Sequence, residues 1–202
     1  MGPPPPNSPA ATRGRRPRPI SADEFARMVK AGVLDDYRRV ELWDGQLVER
    51  PIKSPAHCAS QTLLMDALHR ALPDGWYVGV GCPLVLGPNH MPDASLALHR
   101  GAPGSLPDRH LTGADVGLVI EILDPGPDDD LGPVVAAYAA GGVPALWLVD
   151  LGGRIEARAE PVGGETPAYR AVRSYGPGEG IPLMLDGRVI AELDVADLLP
   201  ER

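Results

Sequence analysis

Two apolar runs stand out along the chain, Met91-Pro-Asp-Ala-Ser-Leu-Ala-Leu98 and Val116-Gly-Leu-Val-Ile-Glu-Ile-Leu123. Short, near-continuous aliphatic runs predict strands buried on both faces, over 93–98 and 117–123. Upstream, Ser21-Ala-Asp-Glu24 reads as a capping box, with Phe25, Met28 and Val29 at helical spacing, so a helix is expected from about 22 to 31. Arg38-Arg-Val-Glu-Leu-Trp43 and Gln46-Leu-Val-Glu-Arg50 flank Asp44-Gly45, a strong hairpin signal. The break from Pro51 to Pro55 precedes a helix over 56–71, in which Leu64, Leu68 and Ala71 recur at three and four.

Two short strands are expected at 76–80 and 83–86. The acidic segment 124–130 leads into a helix ending at Gly141-Gly142, and Pro144-Ala-Leu-Trp-Leu-Val149 reads as another buried strand. The remainder reads as strands at 154–159 and 168–174, a loop, and a short segment near 194–199. Strand, helix and strand between 117 and 149 predict a parallel pair joined by a crossover. The class is therefore α/β or α+β, with a mixed central sheet flanked by helices.

At 202 residues the chain suits one domain with a core of its own, preceded by a tail. Residues 1–19 hold the Pro run Pro3–Pro6 and the cluster Arg13, Arg15, Arg16 and Arg18, with little to bury; they are expected to be disordered, and 20–202 to form the domain. Hydrophobic residues make up 44% and charged residues 23%, as in ordinary globular proteins. Aromatics are only 4%, so the core must be Leu, Val, Ile and Ala. Cys58 and Cys82 lack metal-ligand spacing and no signal peptide is visible, which makes a reduced, cytoplasmic setting the expectation. No apolar run approaches the roughly 20 residues that span a bilayer.

A net charge of −8 argues against a protein that coats nucleic acid, because counterion release needs a basic surface. It leaves room for an enzyme that touches DNA or RNA transiently through a local patch. Assembly is open between monomer and homodimer.

Asp93 and Glu121 sit near the ends of the two apolar strands. A carboxylate there is costly unless something pairs with it. Two such strands side by side could share a divalent cation, the geometry of metal-dependent phosphodiester hydrolysis. Zinc is not indicated, since His69, His90, His99 and His110 show no i,i+4 pairing. A phosphate-binding glycine loop and a Gly-x-Ser-x-Gly nucleophile motif are both missing.

An ordered set of landmarks carries a resemblance: Val40-Glu-Leu-Trp-Asp-Gly-Gln-Leu47, Ser54-Pro-Ala-His57, Pro92-Asp93, Val119-Ile-Glu-Ile-Leu123, Tyr138-Ala-Ala-Gly-Gly-Val-Pro144 and Leu146-Trp-Leu-Val-Asp150. In this the chain resembles the Uma family of restriction endonucleases, within the PD-(D/E)XK nuclease superfamily. The resemblance covers about 21–199. It implies a restriction-endonuclease-like fold, a Mg²⁺ (or Mn²⁺) site and endonuclease activity on nucleic acid, DNA first. Asp93 and Glu121 would ligate the metal directly, with the carbonyl of Ile122 as a third ligand. Glu41 matches the acid that the family places beside this site. Taken alone, each acid reads first as a solvated strand end; Asp93 and Glu121 in this order and context read as a site, and Glu41 stands between.

One departure matters. The superfamily needs a lysine near the second acid to stabilise charge on the phosphate. The motif position after Glu121 holds Leu123, and the position in the following helix where the family places it holds Val134. No Lys or Arg occurs from Leu111 to Gly153. Lys53 stands before the helix starting at Ser54-Pro55 and could substitute from another direction, although a solvated loop lysine is the plainer reading. A helix-start His57 reads first as a surface or capping residue. Asp130 reads as a dipole partner for the helix that follows it. Two functions follow: a metal-dependent endonuclease, weakened by loss of the lysine, or a catalytically inactive nuclease-fold protein acting in binding or regulation.

Overall fold

The computed structural model describes residues 16–34, 40–105, 107–124 and 131–200. The expected tail up to residue 15, the hairpin start at Arg38-Arg39, and Asp128, Asp129 and Asp130 of the acidic run lie outside the described residues.

Helix α1 (Ala22–Lys30) begins with the anticipated capping box, Ser21 and Glu24 each taking the other's backbone N–H. Strands β1 (Val40–Trp43) and β2 (Gln46–Glu49) pair antiparallel. Their turn places Asp44 and Gly45 at φ 47° and 69°, the left-handed conformations that a two-residue hairpin turn requires. Helix α2 (Pro55–Ala71) is capped by Ser54, whose Oγ accepts from the His57 N–H, and has proline at its start, where no N–H is missed.

Strands β3 (Trp76–Val85), β4 (Asp93–Arg100), β5 (Leu111–Thr112) and β6 (Val116–Leu123) follow. Then come α3 (Gly132–Ala140), β7 (Ala145–Asp150), β8 (Arg154–Val162) and β9 (Ala168–Tyr175). Seven strands form one mixed sheet in the order β5-β3-β4-β6-β7-β8-β9. The pair β6–β7 is parallel, joined through α3, as the strand–helix–strand pattern predicts. The mixed α+β class is thus the observed one. Strands β10 (Gly180–Leu185) and β11 (Arg188–Asp194) form a separate hairpin, and α4 (Val195–Leu198) closes the described chain.

Two expectations are corrected. The segments 76–80 and 83–86 are one strand. Gly81 takes φ 60°, and pairing with β4 continues on both sides of it, from Val80–Leu96 to Cys82–Ala94. The expected C-terminal loop is the β10–β11 hairpin, whose Asp186-Gly187 turn (φ 51° and 73°) repeats the chemistry of Asp44-Gly45.

The sheet is covered on both faces. Leu64 and Leu68 of α2 pack with Leu96, Leu98, Leu118 and Ile120, and Ile181 and Leu183 of β10 extend that layer. On the other face Val135 and Tyr138 of α3 pack with Ala97, Val119, Leu146 and Leu148. This is why β4 and β6 read as unbroken apolar runs. A third cluster, Phe25, Leu42 and Met91, seats α1 and the first hairpin against the start of β4. An isolated bridge between Leu42 and Met91 fixes that seat and brings Glu41 to the ends of the central strands.

Candidate active site

The ladder between β4 and β6 reaches Leu96–Ile120 and goes no further toward the end of β6. Beyond it a side chain replaces main-chain pairing. Glu121 Oε2 accepts from the Ser95 N–H at 3.2 Å and from Ser95 Oγ at 2.9 Å. Ser95 Oγ in turn accepts from the Ile122 N–H at 3.3 Å. The other oxygen of Glu121 accepts from the hydroxyl of Tyr138 on α3. Burial, followed by the charge of Glu121, pushes the Tyr138 hydroxyl well above the usual phenol range, so it remains a donor.

Glu41 meets Glu121 from the first hairpin. Its Oε1 accepts from the Asp93 N–H at 2.9 Å, and its Oε2 accepts from the Trp43 indole N–H at 2.7 Å. Both glutamates are buried. Between them lies Arg50, just past β2. Its Nε is 3.1 Å from Glu41 Oε1, its Nη2 is 3.4 Å from Glu121 Oε2, and its Nη1 donates to the Asp93 carbonyl. Burial pushes the Glu41 carboxyl above its ordinary range, and the pull of Arg50 only partly opposes it. For Arg50, burial works against the charge, but Glu121 and Glu41 outweigh it and hold the guanidinium above its ordinary value.

Glu41, Trp43, Arg50 and Glu121 line a cavity of about 380 Å³, to which Lys53, His57, Asp124 and Val134 also contribute. Lys53 donates to Gln61 Oε1 at 3.1 Å, and Gln61 donates to the Ser95 carbonyl at 2.7 Å. Lys53 is therefore a wall of the cavity rather than a purely solvated loop lysine. Leu123 lines the same cavity, so both positions expected to carry the cation are present as apolar wall.

Asp93 takes a different place. Its main chain joins the cluster through Glu41 and Arg50. Its carboxylate lies beside Gly81, and the residue lines a smaller cavity of about 170 Å³ with Phe25, Val40 and His110. Among the described residues no three His, Cys, Asp or Glu side chains are spaced to hold one ion together. Ile122 lines the larger cavity beside Glu121.

A family model, Uma2, described as "Putative restriction endonuclease", matches residues 22–194. The chain belongs to the Uma2 family. A crystal structure described as "a putative nuclease belonging to DUF820", from Anabaena variabilis ATCC 29413, superposes with a TM-score of 0.65. It is 14% identical, over 89% of this chain and 97% of that one. That likeness shows that the two chains share this mixed α+β fold. A search of curated proteins found no match.

In this Uma2 protein, sequence reasoning missed Arg50, Ser95, Trp43 and the partnership of His57 with Asp124. The alternation of β2 ends at Arg50, and nothing local marks an arginine there as buried. Tyr138 stood among the family landmarks, but its task, holding Glu121, follows only from α3 lying over β6.

Proposed function

We propose that this Uma2 protein is an endonuclease that hydrolyses phosphodiester bonds in nucleic acid, DNA first, with Mg²⁺ or Mn²⁺ as cofactor and with catalysis weakened at Leu123 and Val134. The observation that carries this reading is the convergence of buried Glu41 and Glu121 on one cavity that Arg50 and Lys53 also line. The donor set suits a hard divalent cation, which takes one or two carboxylates and keeps several waters. The raised Glu41 carboxyl supports the fit, since burial has left its charge short of compensation. Glu121, Glu41 and Ile122, whose carbonyl is the main-chain candidate, line the cavity and would hold the ion, and Asp93 would join them only by turning its carboxylate from beside Gly81. When bound, it would polarise the phosphoryl oxygens and lower the pKa of the attacking water.

The chain's own residues supply orientation and charge. Tyr138 and Ser95 hold Glu121 through hydrogen bonds to both of its oxygens. Arg50 and Lys53 offer cations to a phosphate from the β2–α2 side, opposite the helix where the family lysine is expected. A local pair of cations also reconciles phosphate binding with the net charge of −8.

The test is nicking of supercoiled plasmid with Mg²⁺ or Mn²⁺, beside Glu121→Gln and Asp93→Ala controls. Slow, metal-dependent nicking that both controls abolish supports the reading. A second reading, a catalytically inactive nuclease-fold binding protein, is favoured by one observation: Arg50 already pairs with both Glu41 and Glu121. It prevails if no divalent ion produces nicking or changes the melting temperature.

A further inference from the structure

One wall of the cavity has no task in the chemistry above. Asp124, at the end of β6, faces the first turn of α2. Its Oδ1 accepts from the Ser54 hydroxyl, and its Oδ2 lies 3.1 Å from His57 Nδ1. An ionised carboxylate only accepts, so Nδ1 carries the hydrogen and the lone pair of the neutral ring sits on Nε2. Burial, with Lys53 adding to it, pulls His57 below the usual imidazole range, which keeps the ring neutral near pH 7.

His57 is 3% exposed and lines the cavity. Its Nε2 has no hydrogen-bond partner among the described residues. Capping of α2 does not need this ring, because the main-chain N–H of His57 makes the cap bond to Ser54. A buried lone pair without a donor is costly, and it calls for a partner that the fold itself does not supply. A histidine whose Nδ1–H is fixed by a carboxylate, with Nε2 left available, is the arrangement of a general base.

We propose that His57 is a catalytic proton acceptor of this site, oriented by Asp124, which takes a proton from the water attacking a phosphodiester. The inference rests on the nuclease reading. In the step, the water oxygen forms a bond to phosphorus and the bond from phosphorus to the leaving sugar oxygen breaks. The water's proton passes to Nε2. The leaving oxygen takes a proton from solvent, and the imidazolium afterwards returns its own. The charged groups around the ring are Asp124 from β6 and Lys53 and Arg50 from the segment after β2. Asp124 is a positioning residue.

The test uses the full chain as wild type, His57→Ala, His57→Gln and Asp124→Asn. Plasmid nicking at saturating Mn²⁺ is measured with and without imidazole, beside melting curves with Mn²⁺ and with chelator. The histidine ring is read separately by ¹⁵N NMR at neutral pH. Expected are a wild-type ring protonated at Nδ1 and a nicking rate lowered about 10²-fold or more in both His57 variants. Imidazole should recover part of the rate in His57→Ala, the response of the melting temperature to Mn²⁺ should stay as in wild type, and Asp124→Asn should shift the ring proton to Nε2. Where His57→Ala shows no melting transition, His57→Gln carries the rate criterion. A wild-type ring protonated at Nε2, His57 variants as fast as wild type, or a rate loss in folded His57→Ala that imidazole does not recover would each overturn the inference while the nuclease reading stands. A wild type that nicks with neither Mn²⁺ nor Mg²⁺ overturns the nuclease reading, and the inference with it.

Discussion

Arg50 Nη2 stands 3.4 Å from Glu121 Oε2, tying the segment after β2 to the end of β6 across the cavity. The same guanidinium reaches Glu41 through Nε at 3.1 Å, so one cation holds two buried acids from two different elements. The arginine side chain itself is 19% exposed.

Removing that cation should destabilise the fold and sharpen its response to metal. Breaking a buried ion pair from one side costs about 3–5 kcal/mol, and the partial exposure of Arg50 places the expected loss toward the lower end. Arg50→Met should therefore melt well below wild type, and millimolar Mn²⁺ should raise its melting temperature more than it raises that of wild type. Equal Mn²⁺ responses in thermal melts of the two proteins would show that Arg50 and the ion do not compete.

Restoring a lysine on α3 should improve catalysis. Val134 is half-buried and lines the cavity with Glu121. Losing one preorganised cation or donor typically costs about 10²–10³ in rate. Val134→Lys is expected to nick plasmid faster with Mn²⁺, by about tenfold or more, and Asp93→Ala should abolish the gain. A modest fall in melting temperature should accompany it, because the stem and charge enter a partly apolar wall. No gain in a folded variant would count against a weakened catalytic site.

Tyr138→Phe isolates the contact that orients Glu121. It keeps the ring packed against Val119 and Leu146 but leaves a buried carboxylate oxygen without its donor. The expected loss is about 1–3 kcal/mol in urea unfolding. An unchanged midpoint would mean that the hydroxyl contributes nothing to holding the acid.

Stability should decline as the pH falls from 7.5 to 5.5. His57 and His99 are buried, and burial is the first cause pulling each below the ordinary imidazole value. The unfolded chain therefore binds protons near pH 6.5 while the folded chain does not yet bind them. This stability is present above the unfolded value and is lost as the pH falls toward the folded one. His99 has no hydrogen-bond partner on either ring nitrogen among the described residues and stacks on Tyr77 at 5.1 Å. His99→Phe should keep the stack and flatten part of the slope in denaturant titrations at the two pH values. An identical slope would place the lost protons elsewhere.

Much of the frame was legible because the signals are local. The capping box at Ser21 and Glu24, the Asp44-Gly45 turn, the proline at the start of α2 and the aliphatic runs of β4 and β6 each act through neighbours a few residues away. The parallel β6–β7 pair followed from strand, helix and strand in succession. The ordered landmarks carried the family as well. Where local signals misled, one residue was decisive: two strands were expected on either side of Gly81, yet with Gly81 in the left-handed conformation β3 passes through without losing register.

What the chain determined by itself is the kind of fold and the presence of acids in strands that leave them costly. What only the tertiary structure decided is which groups answer those acids. Arg50 reaches Glu121 across 71 positions, Ser95 reaches it across 26, and His57 meets Asp124 across 67. Such pairings depend on a hairpin seated by Leu42 and Met91 and on a helix laid over β6, not on spacing in the chain. The carboxylate of Asp93 shows the same limit: its strand position was legible, but that its oxygens lie beside Gly81 is known only from the fold.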